Sequence, residues 1–337
     1  MNRFVYLYIL PYLFSCMGAW FIGKYGHHFH LIDEPIFRSS HPTARPKGGG
    51  IGILTGFITV AITLKLPAAF WVSAGALSII SFMSDRFKVS AFFRLLFQIA
   101  TSIIFLITIW PWYPLSSVGL LLFSFFLIFI VGTTNYYNFM DGINGMAGVT
   151  GIVAFGLLTF YCHYFNAASN FVILSLSMVI CCLGFLPFNF PRATVFMGDT
   201  GSILLGFVFA SMVTWLSNSL LNFICLASFL FLFYADEITS AIIRLKDGEN
   251  LWTPHRRHLY QILANEFGIA HWTISAGYGI AQIFIGISML CILPFGIYAV
   301  VILICLYLVL FISISLSVRK RSIQTKRRPR IFYTSLN

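Results

Sequence analysis

Charge is what this sequence has least of. Only 9% of its 337 residues are Asp, Glu, Lys or Arg, whereas 59% are hydrophobic, and the mean hydropathy is +0.88. A soluble domain needs roughly a quarter of its residues charged, so this composition excludes a soluble globular protein. The chain must use lipid as part of its solvent. We expect a single integral membrane domain over residues 1–318 and a basic tail over 319–337.

The sequence also lacks the cysteine spacing of a zinc site or a disulfide framework. Its seven cysteines all lie inside apolar stretches, and none forms a C-x-x-C motif. Cysteines of this kind are typical of packing positions in helices. A net charge of +11 would suit a nucleic-acid partner, but the placement of the basic residues indicates another use, and no nucleic acid is expected.

Long apolar runs occupy most of the chain. A spanning helix needs roughly 20 mainly apolar residues. The sequence therefore predicts an all-α polytopic membrane protein with 10 or 11 transmembrane helices. The approximate bounds of the eleven candidate stretches are 4–22, 48–64, 67–84, 95–110, 115–132, 143–163, 170–188, 200–216, 219–238, 271–292 and 295–317.

Basic residues concentrate on one side of these spans. With the N-terminus outside, 19 of the 21 Lys and Arg residues fall in inner loops or the C-terminal tail, and only Arg3 and Lys65 lie outside. The positive-inside rule then predicts a cytoplasmic C-terminus, and the tail is expected to lie on anionic headgroups. All ten acidic residues also lie on the inner face. The rule does not require this, so we expect that face to carry the chemistry.

Amide and carboxylate side chains cluster in NYYNFMDGING, residues 135–145. Asn135 and Asn138 end one predicted span, and Asp141 and Asn144 open the next. Helix capping would explain one or two of these residues, but not all four. Carboxylate and amide oxygens suit a hard cation such as magnesium, and amides also suit the edges of a nucleobase.

A second polar segment, VFMGDTGS at 195–202, places Asp199 at the start of a predicted span. The amides at a helix start attract anions, so a metal held by Asp199 would suit a pyrophosphate. An N-cap role for Asp199 is the alternative.

Basic residues form a third segment in KDGENLWTPHRRH, residues 246–258. His255, Arg256, Arg257 and His258 suit phosphate oxygens, since Arg binds them in bidentate fashion.

Two further segments add charge to the same face. Residues 33–50 supply Arg38, His41 and Lys47, and Asp85 lies where the third span ends. The glycines of 48–56 recur every four residues, which is typical of close helix packing in membranes. Together the five segments indicate a nucleotide-diphosphate compound that is met at the membrane surface, where the acceptor would be a lipid.

These motifs resemble the polyprenyl-phosphate N-acetylhexosamine-1-phosphate transferases, which include the enzymes that start O-antigen and teichoic-acid synthesis. The resemblance runs from Asp33 to about Gln261 in the family's order. RSSHPTARPKGGG at 38–50 and HRRHLYQ at 255–261 are most similar to the O-antigen-initiating branch. The resemblance implies an enzyme of the bacterial inner membrane with its active site on the cytoplasmic face.

The resemblance also implies roles for single residues. Asn138 and Asp199 would hold Mg²⁺, for which Mn²⁺ could substitute, and would be catalytic together with Asp85 and His255. The implied substrate-binding residues are Asp141, Asn144, Arg256, Arg257, His258, Arg38, His41 and Lys47. Ser84 stands where the family has the first aspartate of a pair, which puts the identity of the base in doubt.

The reaction implied is transfer of an N-acetylhexosamine 1-phosphate from a UDP-sugar to undecaprenyl phosphate, with release of UMP. Membrane lipids are further expected partners, and an oligomer is compatible with the sequence. Two alternatives remain open at this point. One is a transporter or flippase of lipid-linked sugars, which would need charged groups in mid-span. The other is a homologue that binds a UDP-sugar without turnover.

Overall fold

The protein is a polytopic bundle of α-helices. The computed structural model describes residues 5–35, 40–41, 43–87, 89–110, 116–251, 253 and 255–327, without the side chains of 85 and 325–327. The helices of this part of the chain are α1 (Tyr6–Tyr25), α2 (Ile51–Thr63), α3 (Ala68–Phe87), α4 (Ala91–Ile109), α5 (Ser117–Met140), α6 (Met146–Tyr164), α7 (Ser169–Phe185), α8 (Gly198–Leu216), α9 (Leu220–Ala227), α10 (Phe231–Lys246), α11 (Leu259–Asn265), α12 (His271–Ile292) and α13 (Ile297–Arg327).

The eleven predicted spans all coincide with helical segments. Within the described ranges nine helical segments are long and apolar enough to cross a membrane, and α2 and α3 supply two shorter apolar helices. The ends differ from the prediction in three places. α5 continues to Met140, α10 to Lys246 and α13 to Arg327. A helix satisfies its own backbone hydrogen bonds, so it can continue past the apolar run that predicts its membrane-spanning part.

Serine side chains begin three of the helices. Ser90, Ser116 and Ser219 precede α4, α5 and α9, and each hydroxyl oxygen accepts a hydrogen bond from a backbone amide in the first turn at 3.0–3.2 Å. The amides at a helix start have no partner within the helix, which is why short hydroxyl side chains are favoured there.

Glycines let α2 approach its neighbours closely. A Cβ atom on Gly52 would lie 2.4 Å from the carbonyl oxygen of Phe14 in α1, and one on Gly56 would lie 2.7 Å from Sγ of Cys181 in α7. Helices in lipid associate through such close backbone contacts, since no hydrophobic force drives them together. The glycine spacing thus has the packing role expected from the sequence.

Helix α8 is the centre of the bundle. Its side chains from Thr200 to Thr214 are all buried, and it packs chiefly against α3 and α5. An apolar helix surrounded on all sides by other helices has little freedom to shift. The first turn of α8, which contains Asp199, is therefore held firmly by the bundle.

The span formed by α9 and α10 is broken by a 3-10 turn, Ser228–Leu230. The side-chain amide of Gln282 in α12 forms hydrogen bonds with backbone groups at this break, through both its oxygen and its nitrogen. Its oxygen accepts from the backbone amide of Leu232 at 3.1 Å, and its nitrogen donates to the carbonyl of Ser228 at 2.9 Å. Backbone groups in a membrane need such partners because lipid offers none.

A small strand pair interrupts the helical architecture between α1 and α2. Strand β1 (Ile32–Asp33) pairs antiparallel with β2 (Arg45–Pro46). The next residue, Lys47, bridges to Phe196 just before α8. These strands were not predicted, and their effect is to fix the loop before α2 against the segment that leads into α8.

Candidate active site

The last turn of α5 and the first turn of α8 meet at one end of the bundle. The hydroxyl of Ser202 donates to the side-chain oxygen of Asn138 at 2.7 Å, and it also lies 3.2 Å from the carbonyl of Gly198. Asp199 lies in the same first turn of α8. The two residues that were expected to bind metal therefore belong to a single helix junction, although they come from different motifs.

Arg94 completes this junction, and sequence reasoning did not identify it. It lies in the first turn of α4, and its Nη1 donates to Oδ2 of Asp199, with both side chains 30% exposed. Four residues on, Gln98 exchanges hydrogen bonds with Asn135. Residues four apart share a helix face. One face of α4 therefore contacts both motifs, at Asp199 and at Asn135. The four-residue spacing of Arg94 and Gln98 was the available signal in the sequence.

The donor atoms at the junction suit a magnesium ion. Asp199 offers a carboxylate and Asn138 an amide oxygen, whereas the described residues contain no cluster of three His, Cys, Asp or Glu side chains. Magnesium is commonly bound by one or two carboxylates, with substrate phosphates and water completing its shell. A sparse oxygen set therefore fits Mg²⁺ better than it fits a structural zinc ion.

The turn after α5 is tied to the segment before α8. Gly145, at a φ of +82°, donates its amide proton to Oδ1 of Asn189 at 2.6 Å. The side-chain nitrogen of Asn189 donates in turn to the carbonyl of Val195 at 2.8 Å. The carbonyl of Asn144 accepts from Ser275 of α12 at 2.8 Å. Asp141 is the C-cap residue of α5, so it and Asn144 follow Asn138 closely at the same end of the bundle.

Residues of the loop before α2 lie against the same segment. The ring of His41 is 4.8 Å from that of Phe196, and its Nε2 is 2.9 Å from Oδ2 of Asp33. The ammonium of Lys47 is 4.0 Å from the other oxygen of Asp33. His41 and Lys47 thus both face an acid. Arg38, expected to bind substrate, lies outside the described residues.

The histidines after α10 are neutral rather than cationic. Burial, aided by the neighbouring His258 and the cation of Arg244, lowers the pKa of His255 to about 4. Burial, aided by Arg319 and Arg244, lowers the pKa of His258 to about 3. The four basic side chains expected here therefore reduce to two permanent cations at neutral pH, Arg256 and Arg257. Sequence alone could not show that this loop is buried.

The rings of His255 and His258 are neighbours in space, and residues 255–257 are not helical. Their ring centroids are 4.6 Å apart, and His258 stacks on Tyr260 at 5.7 Å. Only 3% of the His258 side chain is exposed, and its Nε2 is 3.4 Å from Glu237. His258 is therefore part of the packing that supports the loop, and His255 is the more exposed of the two.

Helix α11 joins this loop to the other segments. The hydroxyl of Tyr260 donates to the carbonyl of Phe139 at 3.0 Å, next to Asn138. Asn265 donates to the hydroxyl of Ser40, beside His41, at 3.2 Å. These contacts bring the segments around Asn138, Asp199, His41 and His255 to one end of the bundle.

Asp85 belongs to the same end by its position in α3. Ser78, two turns earlier, donates to the carbonyl of Thr200 in the first turn of α8 at 2.7 Å. Asp85 follows seven residues later, or about 10 Å along a helix, but its side chain is not described.

One buried acid of α10, Asp236, has a structural use. Asp236 is fully buried and accepts from the backbone amide of Leu259 at 2.7 Å and from the hydroxyl of Tyr278 at 2.9 Å. It therefore anchors the start of α11 to α10 and α12. These contacts give it a full set of protein partners.

Comparison with known proteins points to one group of enzymes. Residues 67–217 match the model of glycosyl transferase family 4. The chain is 26% identical to a probable undecaprenyl-phosphate N-acetylglucosaminyl 1-phosphate transferase of Bacillus subtilis, with 80% of each chain covered. It is 26% identical to the undecaprenyl-phosphate alpha-N-acetylglucosaminyl 1-phosphate transferase of Escherichia coli K12, over 75% of this chain and 74% of the relative. It is 25% identical to a decaprenyl-phosphate N-acetylglucosaminephosphotransferase of Mycobacterium leprae, over 74% of each.

Proposed function

The chain is a member of glycosyl transferase family 4 and an enzyme of its phospho-N-acetylhexosamine transferase group, and from this we propose its particular reaction. It transfers an N-acetylhexosamine 1-phosphate from a UDP-sugar to undecaprenyl phosphate. The products are undecaprenyl-diphosphate-sugar and UMP. The reaction takes place at the cytoplasmic face of a bacterial inner membrane and begins the synthesis of O-antigen or another surface polysaccharide.

One observation carries this proposal. The Asn138 motif and the Asp199 motif share a helix junction, closed by the 2.7 Å hydrogen bond from Ser202, and the His255 segment is tied to it through Tyr260 and Phe139. A diphosphate needs oxygen donors for its metal ion and separate donors for its remaining oxygens. The polar end of this bundle supplies both.

The chemistry is displacement at phosphorus. A phosphate oxygen of the lipid attacks the sugar-linked phosphorus, a new P–O bond forms, and the P–O bond to UMP breaks, with the electron pair leaving on the UMP phosphate. The lipid phosphate is already an anion near neutral pH, so it needs little help from a base. When bound, Mg²⁺ would neutralise charge on the diphosphate.

The residues of the chain align and balance the reactants. Asp199 and Asn138 would hold the metal ion of the diphosphate, and Asp141 and Asn144 face the uridine. Neutral His255 donates a hydrogen bond to an oxygen of the donor. Fixed groups of this kind stabilise developing charge without reorganising during the reaction.

Seven more residues complete the proposed binding groups. Arg256 and Arg257 supply positive charge near the phosphates, and His258 supports their loop. Arg38, His41 and Lys47 lie on the acceptor side in this proposal. Asp85 assists the lipid phosphate, a role it fills without the partner that Ser84 replaces.

A panel of labelled UDP-N-acetylhexosamines tests the proposal. Purified protein and undecaprenyl phosphate are incubated with each sugar, and Mg²⁺-dependent UMP release is scored together with labelled lipid. We expect at least one donor to react, and Asp199→Asn to reduce its turnover by about 100-fold or more. Wild-type protein that releases no UMP from any donor, or an Asp199→Asn variant with full activity, would contradict the proposal.

A further inference from the structure

A buried arginine organises the loop that follows α10. Arg244 is 2% exposed, and its guanidinium donates to the segment 249–253 through all three nitrogens. The acceptors are Oε2 of Glu249 at 3.1 Å, the carbonyls of Asn250 at 2.6 Å, Leu251 at 3.4 Å and Thr253 at 2.9 Å, and the hydroxyl of Thr253 at 3.3 Å. Among the described residues of this segment, 249–251 and 253 lie in no helix or strand, so these bonds define their course.

Only a guanidinium suits this set of acceptors. Arg presents five N–H donors in a rigid plane, whereas Lys has three on a single nitrogen and cannot reach oxygens that surround a plane. A buried cation is also costly unless it is paired and hydrogen-bonded. Glu249 supplies the opposite charge, and the carbonyls satisfy the remaining donors.

Glu249 connects Arg244 to Arg257 at the basic end of the loop. Its second oxygen, Oε1, accepts from Nη2 of Arg257, and Nη1 of Arg257 bonds to Asp247. Ser240 of α10 further donates to the backbone carbonyl of Arg257 at 3.1 Å. Arg257 is therefore turned towards two acids of its own loop, and its position depends on the carboxylate that Arg244 orients.

We propose that Arg244 is a positioning residue for the donor substrate. Through Glu249 and the carbonyls of Asn250, Leu251 and Thr253 it fixes the path of the loop, and with it the places of His255 and Arg256. This inference rests on the proposed function, in which the loop contacts the donor diphosphate. Arg257 belongs to the same scaffold, so it also orients the loop, in addition to the positive charge that we propose it supplies near the phosphates.

The kinetic test compares Arg244→Lys and Arg244→Gln with Lys246→Gln. Lys246 is an exposed cation on the same helix, so its variant removes a similar charge without touching the loop. We expect both Arg244 variants to raise the KM for the UDP-sugar at least tenfold and to leave the KM for undecaprenyl phosphate within twofold. Loss of folded protein would lower the maximal rate and leave both KM values unchanged. Lys246→Gln should match wild type.

Glu249→Gln and Asp247→Asn test the route of the effect. Glu249 contacts Arg244 and Arg257, whereas Asp247 contacts Arg257 in this arrangement. Glu249→Gln should therefore raise the donor KM more than Asp247→Asn does. Combined with Arg244→Lys it should add little, because members of one network are not additive. If Arg244→Gln fails to fold, the measurements on Arg244→Lys and Glu249→Gln decide the matter.

Trypsin gives a readout that does not need activity, since it cleaves after Arg256 and Arg257. The purified Arg244→Lys protein should be cut in this loop at least threefold faster than wild type. Donor KM and cleavage rate both equal to those of Lys246→Gln would overturn the inference, while the wild-type enzyme remained active. Failure of the proposed function is a separate result, seen as no UMP release by wild type itself.

Discussion

Ser202 donates a hydrogen bond to Asn138 across 64 residues of sequence, at a distance of 2.7 Å. The contact fixes the orientation of the Asn138 amide, whose oxygen we propose as a ligand for the metal ion. Because Ser202 lies three residues after Asp199 in α8, its hydroxyl also relates that oxygen to Asp199 at the start of the helix. The hydrogen bond is thus a direct link between the two motifs of the candidate site.

Ser202→Ala should weaken the response to magnesium. One hydrogen bond contributes roughly 1 kcal/mol, so we expect the Mg²⁺ concentration for half-maximal UMP release to rise about fivefold. Ser211→Ala is the matched control, because Ser211 is equally buried in α8 and its hydroxyl has no partner among the described residues. Equal magnesium dependence in the two variants would show that the hydrogen bond does not orient a ligand.

Arg94→Gln should have the opposite effect on magnesium. The guanidinium of Arg94 contacts the carboxylate of Asp199, so a bound cation must share that carboxylate with it. Removing the guanidinium should lower the half-saturating Mg²⁺ concentration by threefold or more.

Arg86→Gln, which removes an exposed cation at the end of α3, provides the comparison for this measurement. It should change the half-saturating concentration by less than twofold. A higher magnesium requirement in Arg94→Gln would mean that Arg94 supports the metal site instead of competing with it.

His255 makes stability depend on pH. Its pKa is about 4 in the folded protein and about 6.5 in an unfolded chain. The unfolded state therefore binds more protons between these values, so stability is greatest above pH 6.5 and falls as the pH drops towards 4. His255→Gln removes this dependence.

The thermal unfolding temperature at pH 7.5 and pH 5.0 provides the measurement. The unfolding temperature of wild type should fall more between pH 7.5 and pH 5.0 than that of His255→Gln does. An equal loss in both proteins would indicate that the side chain of His255 titrates normally in the fold.

The orientation of the chain can be tested by labelling single cysteines. Lys65, between α2 and α3, is expected outside the cell, and Lys246, at the end of α10, inside. In a background whose native cysteines are replaced by serine, Lys65→Cys should react with a membrane-impermeant maleimide in whole cells. Lys246→Cys should react only after the cells are opened. The reverse result would place the candidate site on the outer face.

The sequence predicted which motifs lie at the same end of the bundle, but it did not predict which of their side chains are in contact. Span lengths and the distribution of Lys and Arg determine which helix ends share a face, so Asn138, Asp199 and His255 could be placed together. Which side chains then touch depends on helix rotation and loop course, which no periodicity in the sequence specifies. For that reason Arg94 and Arg244 were recognised only in the structure.

Two further features were not visible in the sequence. The neutral state of the histidines depends on burial of a loop that has no regular pattern, so composition suggested a more positive cluster than the fold contains. The strand pair β1–β2 is two residues long on each side, too short to produce the alternation that predicts a strand.

The contact between Gly50 and Gly201 sets a limit on how this enzyme can be redesigned. A Cβ atom on Gly50 would lie 2.4 Å from the backbone of Gly201, so even one methyl group would push the beginnings of α2 and α8 apart. That shift would carry Asp199 away from its partners before any donor was bound. New sugar preferences are therefore better sought by exchanging side chains around the candidate site than by replacing either glycine at this contact.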